Sequence, residues 1–302
     1  MAVSSVSVSA ASPPTVTSTR PRPGQGATRR VLRRLLRQPG GVLGLVILGL
    51  LVLIAVLASR LAPYDPLRIA AGAPLGAPSV AHPFGTDDLG RDVLSRIVFG
   101  ARISLTVSFL SAAVALVIAV PLGLVAGYAG RTVDSMISRL FDTIFAFPSI
   151  LLGIGLVAVL GSSIFNVVIA VAIINVPTLG RLTRMAVLTQ RGEEYVVAAR
   201  VLGASTPRIV GRHILPNVVP VLLVQTALMM GEAVLLEAAF SFLGLGSRPP
   251  APSWGTMLNN GRNFLVQAPW LGLFPGLVIT ITILGLNALS DALRTALGAR
   301  SY

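Results

Sequence analysis

Cysteine and lysine are absent from this 302-residue chain, and charged residues make up only 12% of it. Without cysteine the chain has no disulfide framework, no thiol chemistry and no cysteine-based metal site. Without lysine it has no P-loop, because that motif needs a lysine to reach the phosphates of a nucleotide. Any ATP-driven work by this protein must therefore come from a partner subunit.

The chain is instead strongly apolar. Hydrophobic residues make up 54% of it, and the mean hydropathy is +0.82. A soluble domain carries about twice this share of charged residues, so the composition predicts a multi-pass membrane protein. The net charge of +13 does not indicate a nucleic-acid partner. The arginines flank apolar runs, where they are placed to contact the headgroups of membrane lipids.

Six apolar runs are long enough, at about 20 residues, to cross a bilayer as helices. The uncharged stretch 143–180 is too long for one span, and Gly161-Ser162-Ser163 offers a turn that divides it. The sequence therefore predicts an all-α polytopic membrane protein with spans at residues 41–59, 103–128, 144–160, 164–182, 218–243 and 271–289.

The arginines predict the orientation of these spans. With the N-terminus in the cytoplasm, seventeen of the 24 arginines fall on the cytoplasmic side and seven outside, which agrees with the positive-inside rule. Both termini are then cytoplasmic. The predicted organisation is a disordered cytoplasmic tail (1–28), a basic amphipathic segment with the first span (29–60), an extracytoplasmic segment (61–100), a core of five spans (101–294) with a cytoplasmic loop (183–216), and a second cytoplasmic tail (295–302).

The basic segment before the first span has the pattern of an interfacial helix. Its arginines form one face at helical spacing beside a leucine stripe, which suits a helix that lies on the inner leaflet. The residues are Arg29, Arg30, Arg33, Arg34 and Arg37, with Leu32, Leu35 and Leu36.

The cytoplasmic loop carries the signals of two short helices. Glu193 and Glu194 suit the start of a helix, because carboxylates complement its dipole. Gly203 suits its end, since glycine takes positive φ without steric cost, and Ser205 suits the cap of a second helix. We expect a compact knob that docks in a groove and transmits a rigid-body movement.

The spacing in this loop resembles the coupling-loop motif of ABC importer permeases. That motif is a Glu-Ala-Ala triplet, three residues, Gly, nine residues and Ile-x-Leu-Pro; here Val197-Ala198-Ala199, Gly203 and His213-Ile214-Leu215-Pro216 match its spacing. Val197 and His213 depart from its letters, and the acidic contact is left to Glu193 or Glu194. Residues 85–102 and 241–255 resemble outer segments of C-type (DppC- and OppC-like) subunits in the dipeptide, oligopeptide and nickel permease family. The resemblance covers about residues 82–294.

The resemblance implies a multi-pass type I ABC importer permease of the bacterial inner (plasma) membrane. Such a permease moves peptides inward by alternating access and has no catalytic activity. Its implied partners are a homologous second permease, two ATPase subunits that bind ATP and Mg²⁺, and an extracytoplasmic substrate-binding protein. No cofactor or metal is expected in this chain. Nickel or another small solute is an alternative substrate. An intramembrane hydrolase is a distant alternative, since His82 and His213 have no partner at hydrolase spacing.

Three groups of candidate residues follow. Gln225, Glu232 and Glu237 are candidates for the translocation path, because intramembrane carboxylates face a cavity or a neighbouring helix; a structural hydrogen bond is the alternative for both glutamates, and is favoured for Glu237. An outer gate or scaffold is expected to form ion pairs along a short surface helix, from Asp87, Asp88, Arg91 and Asp92. The ATPase-coupling loop would use Glu193, Glu194, Ala198, Ala199, Arg200, Gly203, Ala204, Ser205, His213, Leu215 and Pro216. Trp254 and Trp270 are expected to be interfacial anchors.

Overall fold

The computed structural model describes residues 26–246 and 250–298, which form helices joined by loops. Residues 1–25 of the predicted tail 1–28 and residues 299–302 of the predicted tail 295–302 lie outside this part. The helices are α1 (Gly26–Leu35), α2 (Pro39–Val56), α3 (Ala58–Leu61), α4 (Val93–Tyr128), α5 (Arg131–Phe145), α6 (Ser149–Leu160), α7 (Ile164–Arg191), α8 (Glu194–Val201), α9 (Thr206–Ile209), α10 (Leu215–Phe242), α11 (Trp254–Gly261) and α12 (Trp270–Leu297), with a π-turn (Val210–Ile214) and a 3-10 turn (Arg262–Phe264).

Several helices run further than their apolar stretches. Helix α1 begins at Gly26, so residues 26–28 are helical rather than disordered. Helix α4 begins at Val93, inside the predicted segment 61–100, and α7 continues to Arg191, inside the predicted loop 183–216. Helix α12 likewise ends at Leu297, beyond residue 294. A count of apolar residues ends at the first charged residue. The backbone hydrogen bonds of a helix continue past such a residue, so these helices are longer than their apolar stretches.

Five helical runs in the described part are long and apolar enough to cross a membrane. They are α2, α4, α7, the run Thr206–Phe242, and α12. The sixth expected span, at 144–160, is divided: α5 and α6 meet at 87°, and α6 has only 12 residues. Pro148 explains the break, because proline donates no backbone hydrogen bond and disfavours a helical residue before it. The number of spans is six if the bent pair counts as one.

The second short helix of the cytoplasmic loop, α9, is continuous with the membrane helix α10. Helix α9, the π-turn and α10 form one continuous helical rod, from Thr206 to Phe242. Pro216 has no N–H, and the turn before it is wider than an α-helical turn: the N–H of Leu215 donates to the carbonyl of Val210, five residues earlier. Such π-turns insert into helices without breaking them.

Helices α4 and α7 approach closely through glycines. A Cβ at Gly123 would lie 2.5 Å from Thr183, and a Cβ at Gly127 would lie 2.7 Å from Val187. Helix α10 packs against this pair and against α12, and α2 packs against α12. Small residues allow such close packing in membranes, where lipid is as apolar as the side chains.

The two ends of the bundle carry different structures. At one end, here called the α11 end, the irregular segment 62–92 and α11 cover the start of α4, and Trp270 of α12 donates to the Thr86 carbonyl at 3.2 Å. At the other, here called the α8 end, Tyr128 at the end of α4 contacts residues of α7 and α8. The 36 residues of α4 separate the two ends by about 54 Å at 1.5 Å per residue.

The seam between α5 and α7 gives a test of this packing. Gly180→Ala would place a Cβ 2.3 Å from the ring of Phe141, which is fully buried. Overpacking of this kind costs about 1–3 kcal/mol, so we expect the variant to melt several degrees below the wild type in detergent. Gly155→Ala is the matched control, because its Cβ would meet no atom within 4 Å. Equal melting temperatures for the two variants would contradict the packing.

Candidate functional site

The knob between α7 and α10 is built around Gly203. Its φ of +78° lies in the left-handed region, which glycine adopts without a Cβ clash. The turn is closed by two backbone bonds, from Gly203 N–H to the Arg200 carbonyl and from Ala204 N–H to the Ala199 carbonyl, both 3.0 Å. The predicted helix and glycine bend are present, but Ser205 makes no side-chain capping bond to α9.

One face of the knob is packed against the bundle. Val196 of α8 is fully buried and belongs to the same apolar cluster as Ile209 and Ile214. Ala199 and Ala204 pack against that cluster. The backbone carbonyl of His213 accepts a 2.7 Å hydrogen bond from the Asn217 amide, so His213 contributes at least this main-chain contact at the start of the rod.

The opposite face of the knob is open and apolar at its tip. Val201 and Leu202 are 82% and 86% exposed, and a Cβ at Gly203 would meet no atom within 4 Å. Ala198, Arg200 and Pro216 are exposed too, while Leu215 is half-buried. Of the two acids, Glu194 is exposed and Glu193 is half-buried. The tip is thus available for a partner surface.

Tyr128 joins the knob to the bundle. The guanidinium carbon of Arg191, at the end of α7, lies 5.7 Å from the ring centroid of Tyr128. That of Arg200, on α8, lies 5.9 Å from the same centroid. A cation over an aromatic ring is attracted by the ring's quadrupole, so one ring ties together α4, α7 and α8. Sequence reasoning missed Tyr128, because no local pattern pairs it with arginines so distant along the chain.

The acidic cluster at the α11 end is buried in irregular chain rather than lying on a short surface helix. Asp87 accepts from Arg91 Nε at 2.7 Å and lies 3.6 Å from Arg96 Nε. Asp88 lies 3.8 Å from Arg91. Arg96 also donates to the carbonyl of Pro66 at 3.3 Å. The expected ion pairs therefore exist, but they hold segment 62–92 onto α4, which suits a scaffold.

Asp92 caps α4 and also contacts His82. Its Oδ2 accepts from the N–H and the hydroxyl of Ser95, at 2.8 and 2.7 Å, while its Oδ1 lies 2.9 Å from His82 Nδ1. The serine hydroxyl donates to the carboxylate and not to the imidazole, so this trio lacks the serine–histidine contact of a hydrolase triad. No three histidine, aspartate or glutamate side chains in the described ranges converge on a metal-sized site.

The three candidates for the translocation path do not lie together. Glu237 is 1% exposed and accepts from the hydroxyls of Ser104 on α4, at 2.9 Å, and Ser241, at 2.7 Å. Glu232 is exposed and Gln225 half-buried, and their spacing of seven residues places them on one face of α10. Glu237 fastens α10 to α4, which is the structural role favoured for it from the sequence.

Both tryptophans donate hydrogen bonds to backbone carbonyls of the protein. Trp254 is completely buried, and its indole N–H donates to the Ile97 carbonyl of α4 at 3.1 Å. Gly100 leaves room for the indole, since a Cβ there would lie 2.9 Å from the Trp254 ring. Trp270 bonds to Thr86, as described above. The expected anchoring of Trp254 in the membrane interface is therefore wrong, because its indole is satisfied inside the protein.

The contrast between the two glutamates gives a test. Glu237→Ala would leave two buried serine hydroxyls without their acceptor, a loss of about 1–3 kcal/mol. We expect this variant to melt earlier in detergent and to give less monodisperse protein. Glu232→Ala, on the exposed face of the same helix, is the control and should melt like the wild type. An unchanged melting temperature for Glu237→Ala would overturn the structural role.

Comparisons with known proteins agree with this architecture. A family described as "Binding-protein-dependent transport system inner membrane component" matches residues 119–301. A second, described as "N-terminal TM domain of oligopeptide transport permease C", matches residues 26–78. Together they cover most of the helical bundle.

Individual relatives extend over nearly the whole chain. The dipeptide transport system permease protein DppC of Alkalihalophilus pseudofirmus is 46% identical over 89% of this chain and 88% of its own length. The di/tripeptide permease protein DppC of Pseudomonas aeruginosa is 42% identical over 85% and 87%. The glutathione transport permease protein GsiD of Pectobacterium atrosepticum is 44% identical over 89% and 90%.

A solved structure shares the fold. The inward-facing MetNI methionine ABC transporter superimposes with a TM-score of 0.56 at 18% identity, over 66% of this chain and 95% of the other. This likeness confirms the expected fold of an ABC importer permease. With the extended match to the curated relatives, it places the protein in the membrane as a multi-pass component. The chain belongs to the family of binding-protein-dependent transport system inner membrane components, as a permease subunit.

Proposed function

We propose that this permease is half of the membrane pathway of an ABC importer for short peptides. The relatives named above transport dipeptides, di- and tripeptides or glutathione, according to their names. Short peptides are the substrate class these names share, and they support a peptide over nickel. The chain itself would carry out no covalent chemistry. It would contribute part of the pathway, the polarity of the pathway wall and the movement that opens it.

The exposed apolar tip of the knob is the observation that carries this proposal. The chain lacks the lysine that a P-loop requires, so ATP and Mg²⁺ would be bound by separate ATPase subunits. The knob packs against the bundle on one face and exposes Val201 and Leu202 on the other. These two side chains offer such a subunit an apolar binding surface. We place the α8 end, with both termini, in the cytoplasm, where the arginine distribution predicts it.

The rod from Thr206 to Phe242 would carry the movement across the membrane. Closure of two ATPase subunits would draw this knob toward that of a homologous second permease, and the rod would turn as one body because it has no break. At the α11 end, Glu237 and Ser104 link the rod to α4. The pathway would open outward, receive a peptide from a substrate-binding protein, and reset when ATP is hydrolysed.

The face of α10 that carries Gln225 and Glu232 is our candidate for the pathway wall. Glu232 is an exposed carboxylate within an apolar span. A carboxylate at that depth is unfavourable against lipid and is expected to face a water-filled cavity or a partner helix. Between this permease and a second one, it would offer a peptide's ammonium group a favourable charge.

Leu202→Asp tests the docking surface. Leu202 is 86% exposed, so the substitution leaves the fold intact but places a charge where an apolar contact is proposed. We expect the ATPase subunits to co-purify at least about tenfold less, which corresponds to about 1.4 kcal/mol. Val266→Asp is the control, because Val266 is 98% exposed and lies near the α11 end. Normal recovery of the ATPase with Leu202→Asp would contradict docking at this tip.

Tyr128 tests whether the knob must be tied to the bundle. Tyr128→Phe keeps the ring between Arg191 and Arg200 and should transport peptide normally. Tyr128→Leu removes the ring's attraction, about 0.5–2 kcal/mol per cation. We expect this variant to bind the ATPase and hydrolyse ATP while peptide uptake into proteoliposomes falls several-fold per ATP. Equal uptake per ATP by the two variants would show that Tyr128 has no part in coupling.

A further inference from the structure

Helix α1 presents a surface that the transport mechanism does not use. Arg33 on α1 and Arg37 in the turn that directly follows the helix are both exposed. Within residues 26–246 and 250–298, neither guanidinium has a hydrogen-bond or ion-pair partner. No acidic residue occurs between positions 26 and 37. The surface is therefore cationic and has no neutralising group of its own on that segment.

The chain holds this surface at the boundary of the membrane. Only residues 36–38 separate α1 from Pro39, the first residue of the apolar span α2. Gly41 fixes the approach of the two helices, since a Cβ there would lie 2.3 Å from the Leu35 carbonyl oxygen. Because α2 enters the hydrocarbon within a few residues, α1 is held in the headgroup layer.

One side of α1 is fastened to α12. Leu35 is 5% exposed and packs with Ala292 and Ala296 near the end of α12. Arg34 reaches the same place, where its guanidinium donates to the Ala296 carbonyl at 3.5 Å. Arg34 is thus engaged with the protein, unlike Arg33 and Arg37, and α1 has a fixed rotation about its own axis.

That rotation turns a leucine stripe outward next to the arginines. Leu32 and Leu36 are 51% and 53% exposed. The N–H of Leu36, the residue after α1, still donates to the Leu32 carbonyl at 2.9 Å, so at 100° per residue both leucines lie beside Arg33. An apolar stripe bordered by arginines is the arrangement that lets a helix lie in a bilayer interface, with leucines in the acyl boundary and charges among the headgroups.

We propose that α1 and the turn after it bind anionic phospholipid headgroups, with Arg33 and Arg37 on the phosphates and Leu32 and Leu36 in the acyl region. Guanidinium groups match phosphate oxygens through paired N–H donors. The outward leucines point to a lipid rather than a soluble phosphate, because a free ion would leave them in water. Since α1 is fastened to α12, the bound lipid would hold the α8 end of that helix at a fixed depth. This inference does not depend on what the transporter carries.

Native mass spectrometry of the full-length chain tests the proposal directly. The protein is purified in detergent, given equal amounts of phosphatidylglycerol and phosphatidylcholine, and scored for retained lipid. Each basic side chain near an anionic surface contributes about fivefold in affinity. We therefore expect Arg33→Gln/Arg37→Gln to lose about tenfold or more of the preference for phosphatidylglycerol. Arg60→Gln/Arg68→Gln removes the same charge from exposed positions near the α11 end and should keep that preference.

A charge-conserving variant keeps the test decisive if the glutamine variant does not fold. Arg33→Lys/Arg37→Lys retains both charges but not the paired donors, and should keep most of the preference for phosphatidylglycerol. Two results would overturn the proposal: a glutamine variant that prefers phosphatidylglycerol as the wild type does, or a lysine variant that has lost the preference. An equal loss in the Arg60/Arg68 control would assign the preference to net charge and would overturn it as well.

Discussion

The helical rod from Thr206 to Phe242 depends on the π-turn at Val210–Ile214. Pro216 cannot donate a backbone hydrogen bond, and a plain interruption there would separate the knob from the membrane helix. The wider turn instead keeps the chain helical up to Pro216, with the N–H of Leu215 bonded to the Val210 carbonyl. Because α9, at the base of the knob, belongs to the same helical run as the membrane helix, a displacement of α9 also displaces that helix.

Contacts at both ends of the bundle attach this rod to its neighbours. Val196 and Tyr128 hold the knob against α4 and α7 at one end. At the other, Glu237 is satisfied by Ser104 and Ser241, and Trp254 bonds to α4. The carboxylate of Glu237 therefore stabilises a helix contact, whereas Glu232, five residues earlier, is exposed. Two carboxylates in one helix have different surroundings because they face different sides of it.

The sequence was most informative where structure is local. Glycine at a helix end, acids at a helix start and long apolar runs predicted the knob and most spans, and motif spacing identified the family. The failures came from contacts distant along the chain or from proline. Pro148 divides the expected third span. No pattern near Glu237 in the sequence predicts its hydrogen bond with Ser104, which lies 133 residues away. The expected position of Trp254 in the membrane interface is wrong because its hydrogen-bond acceptor, the carbonyl of Ile97, is also distant along the chain.

A distance measurement along the rod distinguishes a rigid helix from one that bends. The chain has no cysteine of its own, so spin labels at cysteines replacing Arg208 and Leu243 report on those positions alone. They are separated by 35 residues, about 50 Å along a helix, and a third label on a partner permease reports movement of the knob. We expect ATP to change the distance from Arg208 to the partner, while the distance from Arg208 to Leu243 stays constant. A change in the distance within the rod would show that it bends, and would contradict transmission by a rigid helix.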